Sequence, residues 1–80
     1  MSYKMKFISR KGPFGDELFI FPTMIQHDTF ADMIGAKRAD LLGAGFVNFD
    51  TLTCFGKSVS LNLASRPEDT ALLEKHAFPE

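Results

Sequence analysis

The feature that most constrains this chain is a run of alternating apolar and polar residues about Gly56. In LTCFGKSVSL, Leu52 to Leu61, a two-residue Gly56-Lys57 turn sets Phe55 opposite Ser58, Cys54 opposite Val59, Thr53 opposite Ser60 and Leu52 opposite Leu61. Leu52, Cys54, Val59 and Leu61 then share an apolar face, and Thr51, Thr53, Ser60 and Asn62 a polar one. Glycine at the first turn position suits the type II′ geometry whose twist matches that of the strands. The alternative is one long strand kinked by a bulge at Gly56. Either way the stretch is sheet.

The same letters include Gly-Lys-Ser, the end of a phosphate-binding loop. That loop needs a glycine where Thr51 stands and a helix where VSLNL alternates like a strand. Both requirements fail, so the spacing excludes a nucleotide cradle.

The remaining segments read as an α+β chain without repeats or linkers. Tyr3, Met5 and Phe7 alternate with Lys4 and Lys6, the period of a strand with one wet face. KGPFGD is a connecting loop, and ELFIFP a second strand ended by Pro22, which makes a hairpin with a longer-than-minimal loop. Thr23 with Gln26, or else Asp28, opens a helix placed over 25–37, with Phe30, Met33 and Ile34 on one side. LLGAGFVNF returns to strand and NFDT turns. In SRPEDTALLEKHAFPE, Ser65 and Glu68 have capping-box spacing, Pro67 sits in the first turn, and Pro79 closes the helix. The expected fold is a single α+β domain, residues 1–80. A mostly antiparallel sheet of four or five strands carries two helices packed on one face.

Size sharpens the question of what holds such a fold. An 80-residue chain hides only about 60–65 % of its unfolded surface. Its one cysteine, Cys54, forms no internal disulfide, and no ligand cluster surrounds it. No metal or other cofactor is expected, and a lone thiol fits a reducing, cytoplasmic setting. MSYKMKFISR is charged throughout, unlike a signal peptide, and LFIF and LLGAGFV are far too short to span a bilayer. No membrane association is expected. Nine phenylalanines supply bulk for a small core, and self-association is a further way to bury area.

Candidate chemistry is sparse. His27-Asp28 resembles the paired ligands of metal-dependent phosphohydrolases, and Asp32 lies one turn on, but only His76 remains to complete a site. Asp28 is better explained by the helix dipole. Cys54 falls on the apolar face, away from any base, so a nucleophile is not expected. No Ser-His-Asp set can be assembled, and no catalytic residue or metal site is assigned.

One nucleic-acid signal needs weighing. LGAGFVNF, Leu42 to Phe49, resembles the octamer of RNA-recognition motifs through Gly43, Gly45, Phe46, Val47 and Phe49. Leu42 replaces its basic residue and Ala44 its first stacking ring. The order of elements also differs, since that fold needs a helix after the octamer. Nine basic against ten acidic residues give net charge −1, no general field for phosphates. Lys4, Lys6, Arg10 and Lys11 nevertheless precede any acid, a local basic patch on the first hairpin.

AGFVNF, CFGKSVSLNL and ASRPEDTALL together resemble a pattern in short uncharacterised bacterial and prophage-type proteins. The likeness covers about the C-terminal half and carries no activity. It implies a small accessory protein, borne on a prophage or other mobile element. The leading expectation is a non-enzymatic interaction protein that binds another protein and self-associates, with Lys57, Ser58 and Arg66 as contact residues. The alternative is a nucleic-acid-binding module using the basic first hairpin or a Phe46/Phe49 sheet face, although nucleic acid is not the favoured partner.

Overall fold

A central strand with two adjacent, fully buried apolar residues obliges a sheet to be covered on both sides. Phe7 and Ile8 are such a pair in β1 (Lys4–Gly12), and they point to opposite faces. The computed structural model describes residues 4–77, so the expectations at Tyr3 and Pro79 lie outside the described residues. β1 turns at Pro13-Phe14 into β2 (Gly15–Phe21); the hairpin is the one expected, but its loop is only two residues, because pairing runs on through the Lys11–Asp16 and Gly12–Gly15 pairs. A connection carrying α1 (His27–Met33) and a short 3-10 turn (Arg38–Asp40) leads to β3 (Leu41–Asn48). Then follow β4 (Thr53–Phe55), β5 (Lys57–Ser58), β6 (Leu63–Ala64) and α2 (Pro67–Ala77).

Four strands form one antiparallel sheet in the order β2-β1-β3-β4, and β5 pairs with β6 in a second, two-stranded sheet. β2 and β3 flank β1 and are both antiparallel to it, so they run parallel to each other. Joining them requires a crossover, which lays α1 over one face. There Ala31 and Phe30 pack on Ile8, Phe21 and Ala44, and Phe30 stacks on Phe21 at 4.1 Å. Leu61, from the β5–β6 loop, joins the same cluster. On the other face Leu73 and Leu72 of α2 cover Phe7, Leu18 and Val47, with Ile20, Leu52 and Cys54. The α+β class and antiparallel sheet are those expected, but the helices lie on opposite faces rather than one. The alternation of Tyr3 to Phe7 suggests a wet face; the strand continues into Ile8 and both faces become apolar.

The Gly56-Lys57 hairpin is not formed. β4 pairs with β3, Phe46 facing Phe55, and Gly56 at φ +76° turns the chain away toward β6. The kinked-strand alternative is the better description. Reversal comes later, at Val59–Asn62, where the Asn62 N–H donates to the Val59 carbonyl at 3.2 Å and Asn62 adopts φ +54°. Cys54 and Leu52 therefore pack toward α2, Leu61 toward α1, and Val59 is exposed. The long side of β3 offers pairing partners that a local reversal would forgo. No helix opens at Gly56, in keeping with the exclusion of a phosphate loop.

Both helix starts differ from the capping boxes read in the sequence. α1 begins after Gln26 with no side-chain cap. It ends early because Gly35, at φ +68°, closes a Schellman motif: Gly35 N–H donates to Asp32 and Ala36 N–H to Ala31. At α2 the reciprocal carboxylate is Asp69, not Glu68. Its Oδ2 accepts the Arg66 backbone N–H at 2.8 Å.

Asp69 is fully buried. Its Oδ1 accepts the Ser9 hydroxyl at 2.6 Å and the Arg66 guanidinium at 2.8 Å (Nη2) and 3.2 Å (Nε). Gly43 lies directly beneath, and a Cβ there would collide with the carboxylate. Replacing Asp69 by alanine strands Arg66 and Ser9 and should cost about 3–5 kcal/mol. Ser9→Ala, which leaves the carboxylate its other donors, should cost about 1–3 kcal/mol. Urea unfolding followed by circular dichroism checks this order.

Candidate functional site

The two edges of the main sheet are treated differently. A β-edge exposes backbone N–H and C=O groups that other chains can pair with, and proteins usually blunt it. β4 is only three residues long, and its outward N–H, from Cys54, donates to Thr70 Oγ1 of α2 at 3.1 Å. β2 is seven residues long. Its two-residue turn makes Gly12–Gly15 a hydrogen-bonded pair, so pairing with β1 alternates onward through Glu17, Phe19 and Phe21. Asp16, Leu18 and Ile20 therefore turn their backbone groups outward, and these meet no partner among the described residues.

Apolar side chains bracket that edge. Phe14 stands fully exposed at the hairpin tip before β2, and Met24 follows β2 with 88 % of its surface exposed. Phe19, half-buried, lies under the Arg10 guanidinium at 4.9 Å and beside Phe30. Arg10 is itself fixed by Glu17 at 2.9 Å.

The three contact residues expected from sequence are not equivalent. Lys57 is exposed and lines a shallow concavity of about 210 Å³ on the β5–β6 hairpin. Ser58 borders the same hollow but is buried, its Oγ accepting the Leu61 N–H at 3.2 Å. Arg66 is committed to Asp69, whose hydrogen bonds raise the guanidinium pKa above its ordinary value. Arg66 is thus engaged within the fold; that an edge strand of such a small sheet can be extended by a partner is readable from the fold class, but that β2 is that edge is not.

The titratable groups have structural partners too. His27 is buried between Phe21 and Phe46, edge-on to both rings, with Nε2 2.9 Å from the Gly45 carbonyl. An imidazole facing a carbonyl donates, so Nε2 carries the proton. Burial lowers the His27 pKa, reinforced by the charge of Lys6 and opposed by the Gly45 hydrogen bond and Asp28. Asp28 is exposed and accepts the Thr29 N–H at 2.8 Å. Among the described residues no three His, Cys, Asp or Glu converge as metal ligands. The Cys54 thiol is pushed up to about 12, by burial first and then by the negative charge of Asp69, against a hydrogen bond with Thr70. At neutral pH it is a protonated, poorly nucleophilic group.

A second surface feature lies on the α1 face. Lys6, Phe46 and Phe55 stand in register across β1, β3 and β4, with Lys4, Asn48 and Thr53 in the adjoining row. The two rings are 5.8 Å apart, and the Lys4 ammonium lies 5.7 Å from the centre of Phe55. Lys6 donates to the Ile25 carbonyl at 2.9 Å. The octamer-like segment is thus only partly open: Ala44 is buried beneath α1, and Phe49 has left the strand for the following turn.

Among the described residues no helix is long and apolar enough to cross a membrane. Compared with protein-family models, with curated proteins and with solved structures, the chain matches none.

The lowered His27 pKa has a definite sign. The unfolded chain binds the His27 proton at higher pH than the folded one, so folding stability is complete above pH ~6.5 and falls as pH drops below it. Urea midpoints measured from pH 7.5 to 5 should decline in the native chain and decline less in His27→Gln.

Proposed function

We propose that this chain is a non-enzymatic accessory protein that binds another protein by taking a partner strand onto the free edge of β2. The observation that carries this reading is the outward row of Asp16, Leu18 and Ile20 backbone groups, bracketed by Phe14 and Met24. Main-chain hydrogen bonds supply affinity in strand addition, and flanking side chains supply selectivity. The half-buried cysteine and the buried histidine support a non-catalytic role, because each is held by the fold in its neutral form. A reduced lone thiol accords with the cytoplasm, and the resemblance of the C-terminal half accords with a mobile-element accessory.

Affinity capture from a cell lysate tests the surface when variants are compared side by side. Phe14→Ser/Met24→Ser alters only exposed side chains and should reduce captured partner at least about fivefold. Lys57→Ala should leave capture unchanged. Equal capture by all three proteins, or loss with Lys57→Ala alone, would move the site off β2.

The row of Lys6, Phe46 and Phe55 favours a second reading, a single-stranded nucleic-acid platform. Rings on neighbouring strands stack bases, and adjacent lysines meet phosphates. On that reading the chain binds a mixed-sequence oligonucleotide at ~50 mM salt, and Phe55→Ala weakens it by about 1–3 kcal/mol. Absence of binding at that salt disposes of it.

A further inference from the structure

We infer that the strand received by β2 is β2 of a second copy, related by a two-fold axis perpendicular to the sheet near Phe19. This rests on the strand-addition reading above and names its partner.

The pairing follows from alternation. Leu18 and Ile20 both turn their backbone groups outward, so a two-fold at Phe19 sets each Leu18 opposite the other copy's Ile20 and joins them by hydrogen bonds in both directions. The two Phe19 side chains then meet across the axis on the α1 face. Farther out, Glu17 lies opposite Phe21 of the other copy and Asp16 opposite its Pro22. Proline has no N–H to donate, so the ladder stops where the strand itself stops. Beyond Pro22 the chain turns, the Ile25 N–H donating to the Pro22 carbonyl at 3.1 Å, so the exposed Phe14 and Met24 lie past the two ends of the ladder.

Charge selects the direction. Both acids of β2, Asp16 and Glu17, sit at its start, and the rest of the strand is uncharged. A parallel pair would set acid beside acid, which is destabilising. An antiparallel pair sets each acidic end against an uncharged one. The result is a continuous eight-stranded sheet, twice the strand order β2-β1-β3-β4. An interface of two edge strands falls at the small end of specific interfaces, below about 1,200 Å² in total, the class of weak, reversible association.

Thr23 provides the test, being exposed and next in sequence to Pro22, which stands opposite the other copy's Asp16. Sedimentation equilibrium at ~50 mM salt should show the 8.9 kDa chain doubling in mass as concentration rises. Thr23→Lys, bringing a cation to the partner's Asp16 and Glu17, should tighten the dimer about three- to tenfold. Thr23→Glu should loosen it by a similar factor, and both effects should shrink at ~500 mM salt. Amide exchange at Leu18 and Ile20 should slow as the native chain is concentrated. A mass of 8.9 kDa persisting to ~1 mM, or both Thr23 variants shifting association in the same direction, overturns the inference. In that event capture that still depends on Phe14 and Met24 keeps the β2 edge as a binding surface for a different protein, whereas capture indifferent to them removes both readings.

Discussion

A single buried carboxylate fixes the relation between the parts of this molecule. Asp69 is held by the hydroxyl of Ser9 in β1, by the backbone and guanidinium of Arg66 at the start of α2, and by the room that Gly43 leaves in β3. A charge so deep is tolerated only when its hydrogen-bonding capacity is used. It therefore dictates where α2 begins and how α2 crosses the sheet. From that placement follow the cover over Phe7, Leu18 and Val47 and the reach of Thr70 to the β4 edge. The small core has no disulfide, and this polar bolt supplies the directional specificity that apolar packing alone lacks.

The opposite edge is a consequence of the same economy. α2 begins where Asp69 puts it and attends to β4, and α1 is spent on the crossover. Neither helix is left to shield the outward groups of β2. Two helices serve two faces and two edges, so among the described residues one flank stays open. Arg10, lying over Phe19 and paired to Glu17, organises the side chains of that flank without closing its backbone. Such an edge is a hazard in a monomer and an asset in a binding protein.

Local patterns were legible in the residues; long-range choices were not. The first hairpin is written in the alternation before Phe7 and in the Gly-Pro-Phe-Gly turn, and α2 in Ser-Arg-Pro-Glu-Asp. The failure at Gly56 has a physical cause. Leu52 to Leu61 is compatible with a hairpin, but β3 was available to claim Thr53 to Phe55, and strand order is not encoded in periodicity. Asp69 resembles an ordinary acidic residue of a helix's first turn because its decisive partner, Ser9, is sixty positions away. The same blindness hid the candidate site. That β2 carries apolar residues on both faces is visible in LFIF; that it lies outermost is not. Lys57 is exposed, as turn residues are as a rule, whereas the engagement of Arg66 is hidden in the sequence, because a cation beside a helix start looks solvent-facing until its buried acceptor is known.

The sixty-residue span between Ser9 and Asp69 also bears on the order in which the molecule can be made. A ribosome releases β1 long before it releases α2, and chains emerge at about 5–20 residues per second. During that interval the α1 side of the nascent sheet can already be packed, while Phe7, Leu18 and Val47 have nothing to cover them. The half-made protein is then a sheet with one bare greasy side until the last helix arrives to seal it.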